Sequence, residues 1–391
     1  VFKYYKDIGT ETDFQTNFLI ESWNTYALRW IIYTTQPLML LFLSLGVMAV
    51  FSLKNSKKEV LIFWMIWLIV PILRVSVPET SIYGGARQIM EYIPAMALIA
   101  GAGADFSLKF LISNFKFQIA FLLIMFIILL IPIVRLYPNQ NVYFNFLTGG
   151  LKGAVENNIP AAGNSFGNAY WQGVRWINEN TEKQAKVALV QGTTLNMPSY
   201  KFRDDIQYSN YHWSGIKREG EYLIELTFNY EAKFYLYAWE YVEKMLEPVF
   251  VVRVDGVPIL KIWKNDLAHT KPEYKKSEKK FEGNLDIKRK DSSFNIILLE
   301  EVVLSRVIVN FTKDDQCQLP TSGFIETSLD GTLWTKELDP FELDQLGWRS
   351  EPHPNAFRYM FAARSAKYIK INTDNQSCLF NDSKVELVVL E

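Results

Sequence analysis

Between Arg29 and Arg135 only 13 of 107 residues are charged, whereas the other 284 positions carry 70 charges. No other feature constrains the fold as strongly, because a stretch so poor in charge must hide its apolar surface in lipid or in a core. Within it lie four apolar runs, 37–53, 60–77, 89–104 and 117–134, of 17, 18, 16 and 18 residues. A helix needs about 20 apolar residues to cross roughly 30 Å of hydrocarbon, and flanking turns bring each run close to that. The expectation is four transmembrane helices over 29–137. Core helices of a large soluble protein are the alternative, and the near absence of a polar face argues against them.

Short loops orient those helices. Lys54, Lys57 and Lys58 lie between the first two runs, and Lys109 and Lys116 between the last two. The positive-inside rule puts both loops in the cytoplasm. Residues 1–28 (an external loop or amphipathic segment), the 78–88 loop and everything after Arg135 are then extracytoplasmic, and the expected location is the cytoplasmic membrane. Arg74, Arg87 and Glu91 fall at or just above membrane depth, where a charge is costly and usually faces a cavity, a partner or a substrate. Arg74 and Arg87 flank one external loop, and a planar guanidinium suits a lipid-linked phosphate. The other reading is snorkelling, or an i,i+4 ion pair of Arg87 with Glu91.

Several classes are excluded early. A formal net charge of −1 offers no basic face for nucleic acid. With 27 Phe, 20 Tyr and 11 Trp, disorder is excluded too. The chain begins at Val1 without a secretory signal, and it is read as the C-terminal part of a longer chain.

Past Arg135 the sequence becomes globular, and the mean hydropathy of +0.01 averages two opposite regimes. Tyr170, Val174 and Ile177 at helical spacing, followed by the apolar run 186–190, predict an external α/β region over 138–270. Two apolar runs around Asp255-Gly256 predict a hairpin. Tyr235, Ala238, Trp239 and Val242 predict an amphipathic helix whose aromatics belong to a core rather than to a sugar platform. Five lysines and two glutamates within 271–280 mark 271–285 as a charged linker. Short strands separated by turns predict a C-terminal β-sandwich over 286–391.

Two stretches carry a resemblance. One is Ser81-Ile82-Tyr83-Gly84-Gly85-Ala86-Arg87-Gln88 running into Tyr92-Ile93-Pro94-Ala95-Met96-Ala97-Leu98-Ile99-Ala100-Gly101. The other is Tyr137-Pro138-Asn139-Gln140-Asn141-Val142-Tyr143-Phe144-Asn145, followed by Gly149-Gly150-Leu151-Lys152-Gly153-Ala154 and Trp171-Gln172-Gly173-Val174-Arg175-Trp176-Ile177. Over roughly residues 23–263 they resemble the C-terminal part of bacterial multi-spanning glycosyltransferases of the dolichyl-phosphate-mannose protein mannosyltransferase and aminoarabinose transferase type. Gly84 and Gln88 stand where relatives often carry an acid and a histidine. The resemblance implies transfer of a sugar from a polyprenyl-phosphate carrier to a glycan or protein acceptor outside the membrane. It implies donor-phosphate binding by Arg87, Arg74 and Tyr83. It also implies a catalytic aspartate from a first external loop, in a missing N-terminal half or a partner subunit, with no catalytic residue in this chain. The alternative is a non-catalytic, membrane-anchored glycan-binding or assembly subunit.

The last domain carries a second resemblance. Ser328-Leu329-Asp330-Gly331-Thr332-Leu333-Trp334 looks like the S-x-D-G-x-x-W turn of discoidin (coagulation factor 5/8 C-type) domains. Ala362-Ala363-Arg364-Ser365-Ala366-Lys367-Tyr368-Ile369-Lys370-Ile371 resembles their A-R-Y-I-R-I strand. Many such domains bind glycans through loops at one end, which points to Trp348, Arg349 and His353, with Trp334 expected in the core. Cys317 and Cys378 are a possible disulfide in an external location, although pairing is not legible from spacing. No cofactor motif is evident. His212, His269 and His353 show no metal-ligand spacing, and a divalent metal is left open.

Overall fold

The computed structural model describes residues 19–20, 23–49, 51, 55–78, 80, 86–111, 114–159, 162–165, 167–190, 197–209, 212–227, 236–290, 293–310, 323–336, 356–373 and 385–391. The chain forms two compact units: residues 1–168 together with 253–259, and residues 169–252 together with 260–391.

Among the described residues of the first unit the strands β1 (Leu19–Ile20) and β2 (Trp23–Asn24) precede six α-helices. These are α1 (Tyr26–Thr34), α2 (Pro37–Ala49), α3 (Asn55–Arg74), α4 (Tyr92–Leu111), α5 (Phe115–Leu136) and α6 (Gly150–Glu156). Pro37 has no amide hydrogen with which to continue α1, and it keeps Gln36 out of the helical region. The chain therefore bends by 116° between α1 and α2. The Gln36 amide donates to the Leu129 carbonyl of α5 at 2.8 Å. Helices α2 and α4 meet through glycine. A Cβ on Gly46 would lie 2.1 Å from the Ile99 carbonyl oxygen, and one on Gly103 2.0 Å from that of Phe42. Backbones this close leave no room for a side chain.

The expectation of four transmembrane helices is corrected here. Among the described residues one helical stretch, Lys116–Leu136, is long and apolar enough to cross a membrane, or two if the bent pair α1–α2 counts as one span. The first apolar run starts at the Pro37 bend, and its helix α2 ends at Ala49 after 13 residues. Every 18-residue window of α3 includes Lys57, Lys58 and Glu59. In α4 the apolar part, Tyr92–Leu108, is shorter than a span, and Ala95, Met96, Ile99 and Ala100 are buried inside the unit. In α5, by contrast, none of the apolar window is buried.

Beyond residue 168 the described residues form two further sheets. The first follows α7 (Tyr170–Asn180) and consists of β3 (Lys186–Leu189), β4 (Gln207–Tyr208), β5 (Tyr222–Leu226), β6 (Pro248–Val254) and β7 (Val257–Lys264), with α8 (Leu236–Met245) between β5 and β6. Its order is β4-β3-β5-β7-β6. β3 is parallel to β4 and β5, and β7 is antiparallel to β5. All five residues of β5 are buried, the pattern of a central strand covered on both faces. Asp255 and Gly256 have φ of 48° and 81°, the left-handed pair of a two-residue hairpin, as the sequence predicts. Tyr241, Val242 and Met245 of α8 pack with Trp263 and Trp213 in a core beside this sheet.

The second sheet comprises β8 (Glu278–Lys280), β9 (Asp286–Lys290), β10 (Ser293–Asn310), β11 (Gly323–Ser328), β12 (Thr335–Lys336), β13 (Ala356–Thr373) and β14 (Val385–Leu390). The order is β12-β11-β13-β10-β14-β8, with β9 also on β10. The early half of β10 pairs with β9 and its late half with β14. The register shifts between these halves, at Ile297/Val302, and again within the late half, at Leu304/Arg306. Buried positions run Phe294, Ile296, Leu298 and then Leu304, Val307, Val309, with neighbours Leu304 and Ser305 both buried. A bulge of this kind bends a strand and re-aims its apolar face. Side chains from both halves consequently meet in one core with Ile325, Ile369, Ile371, Leu387 and Val389, giving a sandwich-like sheet. Within the charged 271–285 stretch, Glu278–Lys280 form the edge strand on β14, where lysines discourage further pairing. Glu278 accepts Arg306 Nε at 2.8 Å and Nη2 at 2.9 Å.

Candidate functional site

Asp330 builds the turn between β11 and β12. Its Oδ1 accepts the amides of Thr332 at 2.7 Å and Leu333 at 2.9 Å, and the Ser328 hydroxyl at 3.2 Å. Ser328 Oγ in turn accepts the Gly331 amide at 2.9 Å. Short side-chain acceptors that take following amides are turn-formers, and Gly331 supplies the left-handed φ of 77°. The amides of Leu333 and Thr332 hold the Asp330 carboxyl well below the usual carboxylate range, so it is ionised.

This scaffold presents Leu329, Leu333 and Trp334 outward, at 53%, 80% and 37% exposure. The Trp334 indole N–H donates to the Gly331 carbonyl at 3.2 Å, which orients the ring. Trp334 is therefore at the surface rather than in the expected core, because turn hydrogen bonds rather than apolar burial set its position. A fixed aromatic ring beside an ionised carboxylate can take a sugar by its C–H face and by its hydroxyls. Trp348, Arg349, His353, Cys317, Cys378 and Tyr83 lie outside the described residues.

In the first unit, Arg74 ends α3 and donates to Glu91 Oε1 at 3.2 Å and to the Gln88 carbonyl at 3.0 Å. Glu91 thus takes Arg74 as its ion-pair partner instead of the i,i+4 Arg87. The reason is local: Arg87–Ile89 is a separate 3-10 turn, and α4 begins only at Tyr92. The structure brings Arg74 against the segment that carries Arg87, an exposed residue.

The motif residues Gln140 and Asn145 serve helix ends. Gln140 Nε2 donates to the Ile133 carbonyl near the end of α5 at 3.1 Å. Buried Asn145 donates to the carbonyls of Ile32 at 2.6 Å and Thr35 at 2.7 Å, satisfying the orphan acceptors at the end of α1. Beside this anchor opens a cavity of about 510 Å3 lined by Arg29, Tyr33, Thr148, Asn157 and Asn158, with Leu147 and Ile159 as apolar wall. Sequence reasoning missed it, since its residues come from segments more than 110 positions apart, which the Asn145 hydrogen bonds and the Trp30–Phe144 ring contact help to join.

The second unit also buries two carboxylates. Glu221 accepts the Ser214 amide and the Asn265 side chain, both at 2.8 Å, and Glu225 accepts the Tyr170 hydroxyl at 2.8 Å. Such satisfied buried acids order the loops around the first sheet. Among the described residues no group of three or more His, Cys, Asp or Glu is placed to hold a metal ion.

No family model matches the chain, and no curated protein matches it. Several solved structures are similar to part of it. One is the module CpGH89CBM32-6 of Clostridium perfringens, 15% identical, covering 29% of this chain and 91% of that one with a TM-score of 0.18. Another is the family 32 carbohydrate-binding module of C. perfringens NanJ in complex with galactose, 14% identical, covering 25% and 64% with a TM-score of 0.17. A third is CBM32-1 from a family 31 glycoside hydrolase of the same organism, 15% identical, covering 29% and 75% with a TM-score of 0.17. At such TM-scores the likeness fixes nothing by itself, and the strand order stands on its own hydrogen bonds. These neighbours are discoidin-like carbohydrate-binding modules.

Proposed function

We propose that this protein binds glycans through the 328–334 turn of its last sheet, and that α5 holds it at the cytoplasmic membrane with its sheets on the extracytoplasmic side. The observation that carries the proposal is the Asp330 turn. Its hydrogen bonds keep Leu329, Leu333 and Trp334 in solvent beside a carboxylate, and a ring already oriented loses little freedom on binding. Membrane attachment is supported by α5, whose apolar window is wholly unburied. An apolar surface that large in water is uncommon for a protein without a lipid or protein partner. Binding of the purified chain to a panel of immobilised oligosaccharides tests the turn. Trp334→Ala should weaken binding about tenfold at unchanged Tm, and unaltered binding removes the turn from the site.

A second reading is sugar transfer from a polyprenyl-phosphate donor, with the catalytic carboxylate supplied from outside this chain. It is favoured by Arg74, whose guanidinium holds the segment that bears Arg87. In membranes carrying the complete enzyme, Arg87→Ala should then abolish transfer while leaving membrane expression intact. Undiminished transfer would end that reading.

A further inference from the structure

The side of α1 turned away from the core is apolar. Tyr26, Ala27 and Ile31 are buried in the first unit, whereas Leu28 and Ile32, one turn apart on the opposite side, are exposed. A surface helix of a water-bathed domain carries polar residues there. The chain beside it repeats the pattern. Asn145, which holds the end of α1, is followed by Phe146 and Leu147, both exposed. Leu147 lines one cavity with Arg29 and Tyr33 of α1, which places it against that helix. Tyr137, the residue after α5, is exposed as well.

Hydrogen bonds fix the depth of this apolar ledge along α5. Gln36, just past α1, donates to the Leu129 carbonyl of α5 at 2.8 Å. Leu129 lies seven residues before Leu136, where α5 ends, and at 1.5 Å per residue that is about 10 Å below the helix end. An amphipathic helix in a bilayer surface sinks its apolar face roughly 5–10 Å into the headgroup–acyl boundary. The end of α5 bears polar marks of such a boundary. Arg135 pairs there with Asp255 at 2.7 Å, and tyrosine, as at position 137, is enriched where lipid meets water. With nine residues, or about 14 Å of length, α1 is too short to cross a bilayer. The 116° bend at Pro37 also keeps it from continuing along α2.

We infer that α1 lies flat in the extracytoplasmic boundary of the bilayer, with Leu28 and Ile32 in the acyl region and Phe146 and Leu147 at the same level. This rests on the reading of α5 as a membrane span, and it adds the surface by which the first unit sets the depth of that span. The occupant is lipid rather than a second copy, because α1 is bonded to α5, whose unburied apolar window runs to the same end. Depth-resolved fluorescence quenching of the full chain in phosphatidylcholine vesicles tests it. A fluorescent non-natural side chain replaces Ile32 or, separately, Phe126; both positions are exposed, so the label displaces no packing. A nitroxide near the headgroup should quench the probe at position 32 about twofold or more better than one at the acyl-chain end. At position 126 the order should reverse, and iodide in the buffer should reach neither probe. Iodide quenching at 32 with deep quenching at 126 overturns the inference and leaves the span intact. Iodide quenching at both positions overturns the span as well. Deep quenching at 32 removes α1 from the boundary. No quenching at 32 by any of the three, as a covering second copy would give, overturns the inference too.

Discussion

Helix α5 and strand β10 are both long apolar stretches, of 22 and 18 residues, and the molecule treats them in opposite ways. In α5 the apolar residues occupy every face of the helix. No single neighbour could cover them, and none of the apolar window is buried. In β10 successive side chains point to opposite faces, so burial alternates even where the apolar residues are contiguous, with Phe294, Ile296 and Leu298 inside. Where the bulge at Leu304–Ser305 interrupts the alternation, the buried set shifts by one residue and continues. Apolar content alone does not say whether a segment seeks lipid or a core; the faces on which its secondary structure displays that content do.

That comparison can be broken by substitution. The largest effect is expected in α5, where Phe126→Arg places a charge near the middle of the only described straight span. At about 3 kcal/mol for a central arginine, partition into the membrane should fall on the order of 100-fold, read as loss from the carbonate-resistant membrane fraction. If the variant stays in that fraction, α5 does not span. Next comes the core of the second unit: Trp263→Ala, at a fully buried position, should cost roughly 3–5 kcal/mol and lower Tm sharply. Phe126→Ala should leave the same unfolding transition unmoved. Equal shifts from the two would mean that α5 is packed after all.

A smaller effect concerns acid. Arg203 Nε donates to Asp205 Oδ1 at 2.5 Å, and the Gln184 amide to Oδ2 at 2.8 Å. Led by the arginine, these bonds draw the Asp205 carboxyl down from 3.8 to about 2. Because the folded value lies below the unfolded one, the contribution is present above about pH 4 and is lost as pH falls toward 2. Tm measured across that window should decline less steeply for Asp205→Asn than for the parent chain; parallel curves would show that the pair contributes nothing.

Much of the chain beyond residue 168 was legible. The Asp255-Gly256 turn, the helix over 236–245 and most strands follow from local periodicity and turn chemistry, which act over a few residues. The 328–334 turn was legible as a motif, but the position of Trp334 was not. Whether a tryptophan at that place points inward depends on where the Asp330 carboxylate finds its donors. The four expected spans misled because run length counts apolar residues without asking what neighbours do with them. Pro37 sets a 116° bend at the start of one run, Gly46 and Gly103 let another be used up against α2, and Lys57, Lys58 and Glu59 open the helix that carries a third.

By itself the sequence determined where charge is tolerated, which segments repeat with helical or strand period, and where the chain must turn. Those properties belong to a residue and its near neighbours. Only the tertiary structure decided that Arg74 pairs with Glu91, that Asn145 holds the end of α1, and that Arg29 and Asn158 line one cavity. Each of these joins residues 17 to more than 100 positions apart. Such contacts form only after the helices have packed, because the entropy of closing the loop is repaid by burial and not by the contact itself.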